Sequence, residues 1–384
     1  MVLPSVRSGF FCILLPLVSV LGSPSAGDKP KSASPSLTLA GQRLSQIVER
    51  QEEFLKRTSD PARPLSESEL TRRAQALVTA YETYLDDNPE DAYALILYGK
   101  FLRRMGQDRQ AAGLFLEADK VDPRLAVVKQ HLANYLVEEG RPADALPFML
   151  KAVELEPKEP AFHHQLGVFL FLFGEDLVDL GVTTAETNAN GMHDAFRAAS
   201  ELSPGNFEYK LRYAQSFFDA ADPNWDKALT LWRGLRREAS NRPEAEREYL
   251  AMGEARVLAE LRRPDEAKAL LRGIRSSALR TTKESLEKQL DALGKPKENV
   301  FPKPEANMFH RQTDGVSELL ADDNLNRLRA VSERLEQEKL LRELRVDAVR
   351  AAYDGNGNVR LRVSGFAETL PGANNSAPGL APNL

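Results

Sequence analysis

The chain has 384 residues, 42% hydrophobic and 28% charged, a balance that excludes collagen and wholesale disorder and leaves enough apolar side chain for a packed core. Lys and Arg number 51 against 56 Asp and Glu, a net charge of −5, so no basic surplus exists to release counterions from a nucleic acid. Aromatics are only 7%, and the apolar content is mostly Leu and Ala, which lose little on entering a helix.

The first residues read as an address. Arg7 gives a positive start, and Gly9 to Leu21 is apolar apart from Ser19. The run is short for a bilayer span, and small residues follow at Gly22, Ser23, Ser25 and Ala26. That order predicts a signal peptide over 1–22, cut after Gly22, and an exported protein, periplasmic or secreted, with no stable membrane span after cleavage. The single cysteine, Cys12, lies inside this run, so the mature chain has no thiol for a disulfide, a metal site or nucleophilic attack. Residues 23–36, rich in Ser, Pro, Lys and Gly, read as a flexible linker.

Beyond the linker the sequence repeats. Pro89, Pro123 and Pro157 stand 34 residues apart, as do Gly106, Gly140 and Gly174. Between them lie two helical stripes per unit. Leu95, Tyr98, Gly99, Leu102 and Met105 precede Ala111, Phe115 and Ala118 in one unit. Leu132, Ala133 and Leu136 precede Ala145, Met149 and Ala152 in the next. A third unit keeps Leu166, Gly167 and Leu170, then Phe196 and Ala199, but Pro157 to Pro204 is 47 residues, 13 beyond the period. The surplus falls around Glu175 to Gly191 and predicts an irregular excursion or extra helical turn, not a separate domain. A fourth unit carries Tyr213, Ala214, Ala228 and Trp232, and a fifth Ala251, Ala255, Leu258, Ala267 and Leu271. Ser66 with Glu69, and Thr281 with Glu284, are capping-box pairs in the flanking helices.

These units resemble the tetratricopeptide repeat (TPR) family: a small residue (Gly99, Ala133) on the first helix, an Ala-Phe-Ala set (Ala111, Phe115, Ala118) on the second, and a closing Pro. The family's favoured Trp is absent, with Leu95 and Lys129 in its place. The resemblance implies an all-α, right-handed α-solenoid of about five TPR-like helix pairs over 37–293. It also implies that the first helices line a concave groove contacting a peptide or protein partner through their second, fifth, ninth and twelfth positions. Here those are Tyr93, Ile96, Lys100 and Arg103; Val127, Gln130, Asn134 and Val137; Ala161, His164, Val168 and Phe171; and Glu208, Leu211, Gln215 and Phe218. Only Lys100 and Asn134 hint at the carboxylate-gripping set of some family members, so an extended or helical peptide fits this mixed groove better. An alternative is a non-catalytic assembly part of cell-envelope polysaccharide or lipid machinery.

After the repeats, 294–313 reads as a Pro- and charge-rich linker, and 314–345 as an amphipathic helix with Leu325, Leu328, Val331 and Leu335 at helical spacing. Residues 346–366, two alternating runs around Asp354-Gly355-Asn356-Gly357-Asn358, predict a small β-hairpin that needs a partner surface to be stable. The tail, 367–384, reads as disordered.

The chemistry is sparse. Asp354, Asn356 and Asn358 start like a calcium loop, but Val359 and Gly365 occupy the positions that need Gly and Glu. The histidines His131, His163, His164, His193 and His310 form no ligand pair, and His163 and His164 point about 100° apart on a helix. No phosphate loop or nucleophile elbow occurs. We therefore expect no enzyme activity, no metal and no cofactor. Leu166 to Phe173 (LGVFLFLF) carries more bulky side chains than one packed face requires. They are either covered by the insertion or open to a partner.

Overall fold

The computed structural model describes residues 38–60, 62–293, 315–320, 322–338 and 348–364. The expected signal peptide, the two expected linkers and the expected tail lie outside the described residues. No described helix is long and apolar enough to cross a membrane.

Two helices, α1 (Leu39–Thr58) and α2 (Glu67–Asp87), open the array. Five repeats follow: α3 (Ala92–Arg104) and α4 (Asp108–Val121); α5 (Ala126–Glu138) and α6 (Pro142–Leu155); α7 (Pro160–Asp179) and α8 (Ala185–Leu202); α9 (Phe207–Ser216) and α10 (Trp225–Glu238); α11 (Glu244–Glu260) and α12 (Pro264–Leu271). Helix α13 (Arg280–Leu293) ends the array; α14 (Gly315–Leu319), α15 (Asp322–Gln337) and strands β1 (Ala348–Tyr353) and β2 (Val359–Ser364) come after it. The fold is an all-α solenoid of TPR-like pairs with C-terminal helices and a small hairpin. The single helix expected over 314–345 is instead two, α14 and α15, and Asn324 donates its side-chain amide to the carbonyl of Leu319 between them.

Half of the first capping box forms. The Ser66 hydroxyl accepts from Glu69 N at 3.3 Å, but the Glu69 carboxylate turns outward to Arg72 and Arg73. Helix α13 starts at Arg280, so Thr281 sits inside it and does not cap it.

Four inter-helix turns share one closure. Gln107 N donates to Leu102 O (2.9 Å), Arg141 N to Leu136 O (2.8 Å), Val182 N to Leu177 O (2.8 Å) and Arg263 N to Leu258 O (2.8 Å). This six-residue bond requires a left-handed residue between its partners. Gly106 (φ 77°), Gly140 (φ 71°) and Gly181 (φ 65°) fill three of these positions, and Arg262 (φ 55°) the fourth. Gly174, which the 34-residue spacing marks as the third turn, lies inside α7 instead. A Cβ there would strike the Asn188 side chain of α8. Of the two forms expected for the surplus, the structure shows extra helical turns and not an irregular excursion: α7 and α8 run to 20 and 18 residues, against 13 and 14 for α3 and α4.

The chain forms two compact units. Among the described residues, one holds those of Leu136–Leu328 and the other those of Lys29–Tyr135 and Arg329–Leu384. In the first, α14 packs on α8: Gly315 N donates to Asp194 Oδ2 at 2.6 Å, and the Leu319 side chain fills the space above Gly191. Arg327, near the start of α15, donates to the carbonyl of Ala143 in α6 at 3.2 Å.

In the second unit the hairpin returns to the first helices of the chain. β1 and β2 pair antiparallel with Ala351 opposite Leu361, and Val349, Ala351, Val359 and Leu361 are buried on one face. Both outer edges are occupied. On the β1 edge, Val349 N donates to Gln75 Oε1 (2.7 Å) and Ala351 N to Thr71 Oγ1 (2.9 Å). Thr71 and Gln75 are one helical turn apart on α2, about 6 Å of rise, close to the two-residue repeat of a strand. On the β2 edge, Leu361 N donates to Met105 O (3.0 Å), and Gln107 Nε2 donates to Leu361 O (2.6 Å). Helix and turn thus supply the partners that a lone two-stranded ribbon lacks.

Replacing Thr71 by Val and Gln75 by Leu strips the β1 edge of its acceptors. Each orphaned buried N–H should cost about 1–3 kcal/mol. Amide exchange at Val349 and Ala351 should accelerate while that of α7 and α8 stays unchanged. Unchanged protection at those two amides would refute this docking.

Candidate interaction face

In the unit built from the two chain ends, α3 places Tyr93, Lys100 and Arg103 half-exposed on its outer side, while Ile96 is buried. From α5, Gln130 is half-exposed. Asn134, expected on the face, is only 1% exposed and packs inside the repeat. His131 joins α3 to α5. Its ring stacks on Phe115 at 4.4 Å, and its Nδ1 lies 3.4 Å from Arg103 Nη1. Burial, reinforced by the charges of Arg103 and Lys100, lowers the His131 pKa to about 3. The ring is neutral at physiological pH and accepts from Arg103 through Nδ1.

Beneath this face lies the replacement for the family's missing tryptophan. Lys129 occupies that position and is 4% exposed. Its Nζ meets Asp119 of α4 at 2.6 Å. Burial pushes the Asp119 carboxyl above its ordinary range, against the opposing pull of Lys129. The pair is thus a cost of polar burial offset by its own attraction.

In the other unit, Val137 is half-exposed at the end of α5. On α7, Val168 is half-exposed and Phe171 is 45% exposed. His164, expected on the face, is 6% exposed, with its ring 4.7 Å from Tyr209 and 5.9 Å from Phe196. Burial, with the charge of Arg212, lowers its pKa to about 4, so it presents no cation. Leu211 and Gln215 are half-exposed on α9. Gln215 takes up a polar network: Arg212 Nη1 donates to its Oε1 (3.3 Å), and its Nε2 donates to the Tyr249 hydroxyl of α11 (2.6 Å).

Phe218 does not stand on a helix. α9 stops at Ser216, whose hydroxyl turns back to Tyr213 O at 2.8 Å, the local bond by which serine competes with helix continuation. The Phe218 ring then packs 5.6 Å from Trp225 and 6.1 Å from Trp232, with the Arg256 guanidinium 3.8 Å over its face. It is a packing residue between α9, α10 and α11, capped by a cation.

Sequence reasoning missed several residues that hold this frame. Glu254 on α11, 4% exposed, accepts from Arg233 (3.0 Å) and Arg236 (2.5 Å) of α10. Glu248 accepts from the backbone N–H groups of Arg275 and Ser276 at 2.9 and 2.8 Å. A glutamate on a helix reads as solvated unless the arginines of the preceding helix are known to reach it, and no local signal marks that reach.

The repeats are tetratricopeptide-type helix pairs. No family model matches the chain. It is 31% identical over 149 residues to SPINDLY of Hordeum vulgare, a probable UDP-N-acetylglucosamine–peptide N-acetylglucosaminyltransferase. That match covers 38% of this chain and spans only 16% of the barley protein's length. Among solved structures, the chain is similar to YrrB, a TPR protein with an unusual peptide-binding site (16% identity, TM-score 0.42, 56% of this chain and 98% of that one). It is also similar to PilF of Pseudomonas aeruginosa (13% identity, TM-score 0.42, 66% and 99%). A TPR protein of Parabacteroides merdae matches at 13% identity and a TM-score of 0.39, over 73% and 98%.

Removing Asp119 takes from the buried Lys129 ammonium the carboxylate that it meets at 2.6 Å. Asp119→Ala should destabilise the protein by about 3–5 kcal/mol, and pairing it with Lys129→Leu should restore most of that loss. Urea denaturation of the three variants measures both. A double variant as unstable as Asp119→Ala would show that the pair does not act as described.

Proposed function

We propose that the protein is a non-catalytic interaction scaffold that takes a peptide or protein partner on the first-helix side of its repeats. One observation carries this reading. In each unit the chain's own C-terminal segment packs on a second helix, and in the unit that holds the hairpin it also closes on the turn after α3. In one, α14 lies on α8 and Arg327 on α6. In the other, β1 lies on α2. First-helix side chains such as Lys100, Arg103 and Gln130 in one unit, and Val168, Phe171 and Leu211 in the other, stay half-exposed or exposed. Among them, the Arg103 guanidinium and the Phe171 ring are of the types enriched in partner contacts. Export is part of the proposal and rests on Arg7, the apolar run and the small residues after it.

A photo-crosslinking residue placed at Tyr93 or Leu211, and for comparison at Thr230 on the exposed side of second helix α10, tests the face in the native source. Adducts to the same protein from the first two positions and none from Thr230 are expected. Equal adducts from all three would overturn the reading. N-terminal sequencing of the recovered protein should begin near Ser23, whereas an intact Met1 in cytosolic protein would remove export.

A further inference from the structure

Helix α7 carries an apolar surface that folding covers only in part. It has 20 residues, and the next first helix, α9, has 10, so its last turns have no equal neighbour on that side. At about 100° per residue, Val168, Phe171, Leu172, Asp176 and Asp179 fall within one arc of this helix. Phe171 is 45% and Leu172 40% exposed, and Leu180, just past the helix end, is 62% exposed. Asp176 and Asp179 are exposed as well.

The electrostatics of this end run against the helix. Four acidic residues, Glu175, Asp176, Asp179 and Glu186, and no Lys or Arg, lie between Pro160 and His193. The last turn of α7 has no basic residue. Carboxylates there meet the negative end of the helix dipole, where cations would be the stabilising choice. An exposed ring, an exposed leucine and misplaced carboxylates on one arc are departures from local consistency, and such departures concentrate at functional sites.

We propose that this stripe docks a basic amphipathic helix of a partner protein. Apolar side chains of the partner seat on Phe171 and Leu172. Its Lys or Arg residues meet Asp176, Asp179 and the last carbonyls of α7, relieving both the carboxylate repulsion and the dipole conflict. The proposal rests on the scaffold reading and narrows it to one partner chemistry. A second copy of this chain is disfavoured as occupant, because a two-fold contact through this stripe would set Asp176 and Asp179 against their own copies.

The test uses the full chain and a fluorescein-labelled helical peptide of about 18 residues, Leu along one face and Lys beside it, with a Glu-for-Lys peptide as control. Fluorescence anisotropy at low and high salt should show binding of the Lys peptide that weakens with salt. Asp176→Lys with Asp179→Lys should lose about tenfold or more in affinity for it and gain the Glu peptide, while raising the thermal midpoint by removing the dipole conflict. Phe171→Ser with Leu172→Ser should lose about tenfold or more in affinity while the chain still folds cooperatively, with a modest drop in the midpoint from the part of each side chain that is covered. Equal binding of both peptides, binding unchanged by both double variants, or no binding at all would overturn the proposal. So would a dimer in sedimentation equilibrium that Phe171→Ser abolishes. Loss of binding only on Lys100→Glu, in the other unit, would overturn docking on α7 and leave the scaffold reading standing.

Discussion

The structure depends on how closely two helices can approach when one of them gives up its side chain. A Cβ on Gly99 of α3 would come within 2.7 Å of the buried Phe115 ring of α4, and one on Gly167 of α7 within 2.8 Å of Phe196 of α8. At the fourth repeat, Trp232 fills the space above Gly253 of α11 and donates its Nε1–H to Ala214 O at 3.1 Å. At these three contacts a small residue facing a large aromatic one fixes the separation of the helices, twice within a repeat and once between neighbouring repeats.

That spacing decides what the rest of the chain does. Helices drawn together on one side leave their outer arcs for other contacts. The second helices take up the C-terminal segment, α14 on α8 in one unit and β1 on α2 in the other. The neutral histidines packed between helices follow from the same closeness. His193 stacks against Phe217 at 4.6 Å and its Nδ1 meets Ser216 Oγ at 2.9 Å, and burial lowers its pKa to about 4. With His131 and His164 it works as a neutral polar spacer, and the positive charge of the first-helix face comes from Lys100 and Arg103 alone among the side chains predicted to line it.

Much of this was legible in the sequence because repetition makes weak signals add. The helix pairs, the turns at Gly106 and Gly140, and the small residues at Gly99 and Gly167 all follow from a 34-residue period. The third turn did not, because Gly174 kept the period while the backbone moved its left-handed residue to Gly181. The periodic glycine there serves close approach to Asn188, not a turn. The face was legible only in part. Position within a repeat predicts which way a side chain starts, not whether a neighbour covers it, so Asn134 and His164 fell inside while Phe171 stayed out. The hairpin was visible in Asp354 to Asn358, but its partners Thr71, Gln75 and Gln107 lie more than 250 residues away, beyond any local pattern.

The dependence on close helix approach is open to one direct measurement, chemical denaturation of three Gly→Ala variants. Gly99 and Gly253 face a buried ring, and Gly234, inside α10, has nothing within 4 Å of a Cβ. Alanine at Gly234 should stabilise by about 0.5–1 kcal/mol through helix propensity. Alanine at Gly99 or Gly253 should destabilise by about 1–3 kcal/mol, because the overpacked ring has nowhere to move. Three stabilising substitutions of similar size would contradict the account, since the helices would then not be held at the distance that the missing side chains allow.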